Sequence, residues 1–304
     1  MSKSAKKYIR LNLPLLLLAL PALLYFFIFH YLPMFGVILA FKDYKYSEGI
    51  LGSAWAGLKN FEFFFSSQDA FRVTRNTVGY GAVFIVLGNI AAVSVALLLY
   101  EIRSKAALKV YQTSMILPRF LSWVIVGYIT YAILNPSLGA LNQLLQYLGY
   151  SPVDWYADPK YWPFIITFSD IWKHVGLNSI IYYAALMSID PELFEAAKID
   201  GAGRWKQMRS ISIPSLVPVI TIIAILAIGN LFRGDFGLFY QLPRDVGVLY
   251  PATDIIDTYV YRGLRQGDIG ITAAVGLFQS AVGLVLVLVS NWIIKKTRPE
   301  NALF

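Results

Sequence analysis

A run of about twenty residues with scarcely a charge in it recurs along this chain, at roughly 11–31, 77–100, 111–134, 162–188, 214–233 and 270–294. About 20 apolar residues are what an α-helix needs to cross the hydrocarbon of a bilayer. Lipid offers no partner to a backbone N–H or C=O, so segments of this kind fold as helices that satisfy those groups internally. The expected fold class is an all-α membrane protein with about six transmembrane helices. Composition agrees, since 57% of the 304 residues are apolar and 14% charged, well outside the balance of a soluble domain. The first run follows Lys3, Lys6, Lys7 and Arg10, a flank that signal peptides also carry. Its apolar core outruns the about 7–15 residues of a signal peptide, and further spans follow, so 11–31 reads as a retained first helix.

Six spans place both ends of the chain on one side, and the Lys and Arg beside the spans choose which. Basic residues crowd at the N-terminal tail, at Arg103, Lys105 and Lys109, at Lys198, Arg204, Lys206 and Arg209, and at Lys295, Lys296 and Arg298. The alternate segments dilute theirs among acids such as Asp43, Glu48, Asp154, Asp158, Asp235, Asp245, Asp254 and Asp257. Both termini are therefore expected in the cytoplasm, with tails 1–10 and 295–304 around a membrane domain at 11–294. The outward segments resemble small caps: 139–148 and 254–265 each have short amphipathic helical spacing. The net charge of +8 sits in clusters beside spans, which is topology and not a nucleic-acid-binding face. There is no cysteine, hence no disulfide framework or thiolate chemistry, and two histidines do not make a metal site. His30, beside Tyr31 at the end of the first run, reads as an interfacial anchor.

The longest inward loop, 189–213, is written as structure. Asp190 suits a helix cap, Pro191 the first turn, Glu192 and Glu195 the positive helix start, and Gly201 the exit. That makes a rod of roughly 15 Å, followed by a second helical run from Arg204 to Ile211. Small Ala196 and Ala197 let another backbone come close, as a docking element requires; the alternative is a loop helix that packs on its own bundle.

These residues resemble the "EAA" loop of ABC importer permeases, the inner-membrane components of binding-protein-dependent transport: Glu-Ala-Ala, three residues, Gly, nine residues, Ile, one residue, Leu-Pro. Glu195, Ala196, Ala197, Gly201, Ile211 and Pro214 match, and Ile213 stands where the pattern has Leu. The run Asp200, Gly201, Ala202 is typical of the carbohydrate branch. The stretch from Pro21 to Tyr44, the triplet Arg75-Asn76-Thr77, Leu117-Pro118 and the closing ENALF look like sugar permeases for complex oligosaccharides and polysaccharide fragments. The resemblance implies a type I importer fold and a loop helix seated in a groove of a cytoplasmic ATPase, where Glu195 meets a basic residue. It also implies a second permease chain, different from this one, two ATPase subunits that bind ATP and Mg, and an extracellular solute-binding protein. The chain itself has no G-x-x-x-x-G-K-[ST] segment to cradle nucleotide phosphates, so catalytic residues and cofactors are expected on the partner.

Charge inside a span costs about 3 kcal/mol or more at a helix centre and so points to an interior or a water-filled path. Arg119, Asp170 and Lys173 are such charges, and Asp170, Lys173 and His174 share one side of their helix. One reading is a self-neutralised structural pair. The other is a sugar path, in which polar groups meet hydroxyls and aromatic faces meet C–H surfaces. Its candidates are Arg119, Trp123, Tyr128, Tyr131, Asp170, Trp172, Lys173, His174, Asn178, Tyr182, Asn230, Arg233 and Gln279. Arg119 and Arg233 admit acidic sugars as substrate, or simply snorkel to water. Competing functions are an ATP-independent secondary transporter or channel, which should show discontinuous helices or intramembrane acids, an ABC permease for a non-sugar solute, and an integral-membrane enzyme. The last lacks any clustered His, Asp or Glu.

Overall fold

The computed structural model describes residues 3–297; the side chains of 3–11, Leu16 and Thr297 are outside that description, and Arg298 and the closing ENALF lie beyond it. The chain forms two compact units, one made of the residues up to Phe64 with Gly263–Leu277, the other of Phe65–Arg262 with Phe278 onward.

In the first unit a helix, Lys3–Phe26, passes through a π turn, Phe27–Tyr31, into a 3₁₀ segment, Leu32–Phe41. Its membrane candidate therefore runs Asn12–Phe41, ten residues past the expected end at 31, because Pro33 alters the bonding pattern without stopping the helix. The described sheet is one ribbon in which Lys42 faces Trp55 and Asp43 faces Ala54. Lys42 is buried, and its ammonium donates to the carbonyls of Leu51 at 2.8 Å and Ser53 at 3.0 Å, which is how the charge is carried inside. Asn60 ties the same corner by donating to the carbonyls of Ala40 and Lys42.

The second unit is built on two long helices, Gln68–Tyr100 and Trp162–Met187, packed along most of their length. Ser67 caps the first by accepting from Ala70 N at 3.2 Å. At 33 residues it is about 50 Å long, longer than the hydrocarbon core, so its ends project. Fully buried Ala92 and Ala96 bring it close to Tyr182, Leu186 and Leu216, the small-residue packing that helices use in lipid. A second core at the other end gathers Tyr80, Val126, Trp162, Ile166, Leu238, Phe239 and Leu249. Apolar side chains such as Leu98, Phe120, Phe164 and Leu288 point outward, the reverse of a soluble protein.

Among the described residues four helices are long and apolar enough to cross a membrane: Asn12–Phe41, Gln68–Tyr100, Arg204–Gly229 and Ile269–Lys296. Lys105–Phe120 and Trp123–Leu134 make a fifth if taken together, but they are bent by 98°. The expected run 111–134 is thus broken and not straight. Pro118 sits in a 3₁₀ turn, Leu117–Phe120, and Ser122 restarts the helix as its cap. Trp162–Met187 has 26 residues, about 39 Å, but Asp170, Lys173 and His174 make it less apolar than the others. The run expected to reach 233 leaves the helix at Gly229.

Because Gln68–Tyr100 and Trp162–Met187 are joined at opposite ends to different segments, the second unit has a loop end, with 189–213, and a cap end. At the cap end lie the helices Ala140–Tyr147, Phe236–Gln241 and Ile256–Gln266. Buried Asn142 staples the first of these, donating to Pro136 and Val153 carbonyls and accepting from Val153 N and Trp155 Nε1. Arg75, Asn76 and Thr77 hold the 250–258 segment: Arg75 and Asn76 donate to Pro251 O, Asn76 to Asp254 O, and Thr77 Oγ1 accepts from Ile256 N. The Asp254 carboxylate is fully buried between Arg262 at 2.6 Å and Arg72 at 2.9 Å.

Candidate functional site

At the loop end, Asp190 caps the helix Pro191–Ile199 by accepting from Glu192 N at 2.9 Å. The helix ends as the residues dictate. Gly201 takes φ +76°, its N–H donates to Lys198 O at 3.0 Å, and Ala202 N donates to Ala197 O at 2.8 Å. Those two bonds are a Schellman motif, which closes a helix and turns the chain sharply away. The following run does not stop at Ile211. Arg204–Gln207, a π turn at Met208–Ser212 holding Ile211, and Ile213–Gly229 form one continuous helix, because Pro214 has no N–H to bond back one turn and the backbone widens just before it.

No residue of the loop helix is buried. Phe194 turns inward to the Tyr100 ring, 5.9 Å between centroids, and Ala197 is half-buried. Leu193, Glu195, Ala196, Ile199 and Asp200 all face out, with Ile199 87% exposed. Arg204 and Glu101 form an ion pair at 3.0 Å that ties the two loops of this end together. The helix is therefore anchored along one edge and offers the other.

Midway along the bundle an open cavity of about 630 Å³ is lined by Arg119, Asp170, His174, Asn178, Asn230 and Arg233 from the expected set. Asn89, Phe84 and Asp235 also line it. Asp235 caps Phe236–Gln241 through Leu238 N, and its second oxygen accepts from Trp123 Nε1 at 2.6 Å. Asp170 pairs with His174, 3.2 Å from Oδ1 to Nδ1. Both carboxylates on the cavity are thus engaged, whereas no carboxylate among the described residues forms an ion pair with Arg119 or Arg233.

Of the two local pairings open to Asp170, the one with His174 forms and the one with Lys173 does not. Lys173 is buried and donates to the carbonyl of Leu121, with its ammonium 4.6 Å from the centre of the Trp123 ring. The 98° break leaves that carbonyl without a helical partner, and a cation is the stronger donor for it. Lys173 and Trp123 therefore shape the break beside the cavity. Tyr182 is not on the cavity either: it is fully buried in the loop-end core and its hydroxyl donates to Asn89 Oδ1. Trp172 is partly exposed away from it, and Gln279 donates to Phe232 O at 2.6 Å and Asp257 Oδ2 at 3.1 Å. Tyr128 and Tyr131 line a different cavity toward the cap end. Asn89, a polar residue in the middle of an apolar run, was open to the same logic as Asn178; Asp235 was not, because it lies past the helix end and reads as one more outward acid.

A helical membrane bundle with a polar cavity beside a broken helix, and with a braced, exposed loop helix at one end, has the build of a transport permease. Residues 85–299 match the family described as "Binding-protein-dependent transport system inner membrane component". The chain belongs to this family and is a multi-pass permease subunit of an ABC importer. It is 38% identical over 288 residues to the polygalacturonan/rhamnogalacturonan transport system permease protein YteP of Bacillus subtilis (strain 168), covering 94% of this chain and 89% of that one. A crystal structure of a bacterial ABC transporter involved in the import of the acidic polysaccharide alginate superposes with a TM-score of 0.88 at 33% identity, covering 97% of this chain and all of that one. A second crystal structure, of a bacterial alginate transporter in complex with alginate pentasaccharide-bound periplasmic protein, gives 0.86 at 34%, covering 96% and 97%.

Proposed function

We propose that this permease passes acidic oligosaccharides, fragments of uronate-containing polysaccharide, into the cell. The observation that carries the reading is the charge of the 630 Å³ cavity, where Asp170 and Asp235 are held by His174 and Trp123 while Arg119 and Arg233 form no ion pair among the described residues. An unpaired guanidinium presents a planar fork that fits a carboxylate with two bonds. Asn178 and Asn230 supply donors and acceptors for hydroxyls, and Phe84 an apolar wall. The alginate and polygalacturonan names of the relatives point the same way.

The loop end faces the cytoplasm in this reading, with both termini, since its basic residues obey the topology rule. Glu195, Ala196, Ala197, Asp200, Gly201 and Ala202 form the surface that an ATPase subunit grips, while Ile211 and Pro214 carry its motion into the bundle through the continuous Arg204–Gly229 helix. ATP and Mg belong to two such ATPase subunits. A second permease chain completes the path, and a solute-binding protein delivers substrate at the cap end. The bundles then rock between outward-open and inward-open states.

The test is reconstitution of the importer with its partners in proteoliposomes, followed by uptake of size-matched neutral and uronate oligosaccharides. Uronate uptake that falls at least tenfold in the Arg119→Gln, Arg233→Gln double variant supports the reading. Exclusive uptake of neutral sugars removes it.

A further inference from the structure

At the cap end two cavities meet across Tyr131 and Arg244. One of about 210 Å³ is walled by Tyr128, Tyr240 and Gln241, and one of about 560 Å³ opens toward Tyr156, Val248 and Asp154, whose carboxylate accepts from Tyr156 N at 3.2 Å. Arg244 lies over the Tyr131 ring, 4.1 Å from its centre, and no carboxylate among the described residues forms an ion pair with it. Two other cap-end arginines show the contrast: Arg72 and Arg262 are both locked onto Asp254.

The backbone that presents Arg244 is strained. Arg244 and Asp245 have φ of +57° and +52°, the left-handed region that side chains with a Cβ rarely adopt. Asp245 is held there by Tyr250 Oη at 3.0 Å and Arg262 at 3.4 Å. Strain of this kind persists only where surrounding structure enforces it, and it gathers at ligand-holding positions. The floor is equally set: a Cβ on Gly127 would stand 2.8 Å from Gln241 O, so the Trp123–Leu134 helix and the end of Phe236–Gln241 touch backbone to backbone. Asp235 lines the arginine-lined cavity and accepts from Trp123 Nε1, so both elements start beside that cavity and run past this one. Six residues of helix from Asp235 to Gln241 span about 9 Å.

We infer that Arg244, Tyr131 and Tyr128 form a second subsite for a uronate sugar, which holds a trailing residue of the chain while a leading one occupies the Arg119–Arg233 cavity. The inference rests on the acidic-oligosaccharide reading. Tyrosine faces take the C–H surface of a pyranose ring, and Arg244, already seated on Tyr131, pairs with its carboxylate. One elongated path with two cationic stations suits an oligomer better than a single sugar.

The experiment is binding to the intact importer in nanodiscs, without the solute-binding protein so that its selectivity does not enter. The probes are a uronate pentasaccharide and the same chain with every carboxyl reduced to an alcohol. Arg244→Gln should weaken the uronate chain about tenfold and leave the reduced chain unchanged, and Arg244→Lys should recover part of the loss. Arg244→Gly removes charge and strain together, so its melting temperature should hold or rise while uronate affinity falls as in Arg244→Gln. Wild-type uronate affinity in Arg244→Gln, or equal loss for both probes, overturns the subsite while leaving the acidic reading intact. A wild-type importer that binds only the reduced chain overturns both.

Discussion

Replacing Gly201 tests whether the geometry of the loop helix, and not its composition, couples it to the ATPase. Its φ is +76°, and no heavy atom lies within 4 Å of the place a Cβ would take. Alanine therefore meets no neighbour, and its whole cost is the left-handed backbone, about 1–2 kcal/mol. That lowers the population of the correctly closed loop by a factor of about 5–30. Proline is worse: its φ is locked near −65° and it loses the N–H that donates to Lys198 O at 3.0 Å, costing about 3 kcal/mol or more. Gly203 is the control, two residues on, equally open but at an ordinary φ of −66°. In proteoliposomes carrying the reconstituted importer, sugar uptake and ATP hydrolysis are followed together. Gly201→Ala should lower sugar moved per ATP, Gly201→Pro should abolish uptake, and Gly203→Ala should behave as wild type. The melting temperature of the permease should not move in any of them, because the loop helix buries no residue. Gly201→Ala indistinguishable from Gly203→Ala, or active transport by Gly201→Pro, would refute the argument.

Glu195→Lys, on the exposed face of the loop helix, should leave the permease folded and in the membrane but lose uptake, measured in the same vesicles. Gly176→Ala should destabilise by about 1–3 kcal/mol or more through overpacking, since its Cβ would lie 1.9 Å from Met115 O; thermal unfolding in detergent reads this directly. Removing one partner of the buried cap-end pair, as in Arg262→Met, should cost about 3–5 kcal/mol by leaving Asp254 with a single cation, seen as a lower melting temperature. Burial holds the Asp257 carboxyl above the usual range despite its bonds from Gly234 N and Gln279. A raised folded pKa means the folded state holds the proton more tightly, so this group adds stability as pH falls and withdraws it as pH rises through the folded pKa. Melting temperatures of wild type and Asp257→Asn should therefore diverge with pH, and parallel curves would contradict the assignment.

Much of this was written locally. Apolar runs of about twenty residues define membrane helices because lipid leaves the backbone no other partner. The loop helix was equally legible from Asp190, Pro191 and Gly201, whose effects act within one turn of chain. The motif from Glu195 to Pro214 pointed to the family that residues 85–299 match. What lay beyond the sequence was pairing across the fold. Lys173 sits three residues from Asp170, yet it bonds Leu121, 52 positions away, because the 98° break exposes a carbonyl there. Tyr182 and Asn178 share a helix, and only packing puts one in a core and the other on a cavity. The left-handed backbone at Arg244 carries no glycine to announce it and is held by Arg262 and Tyr250 from another element. Short-range rules determine which segments cross the membrane and where they turn; which charges remain unpaired inside depends on contacts that form only when distant segments pack.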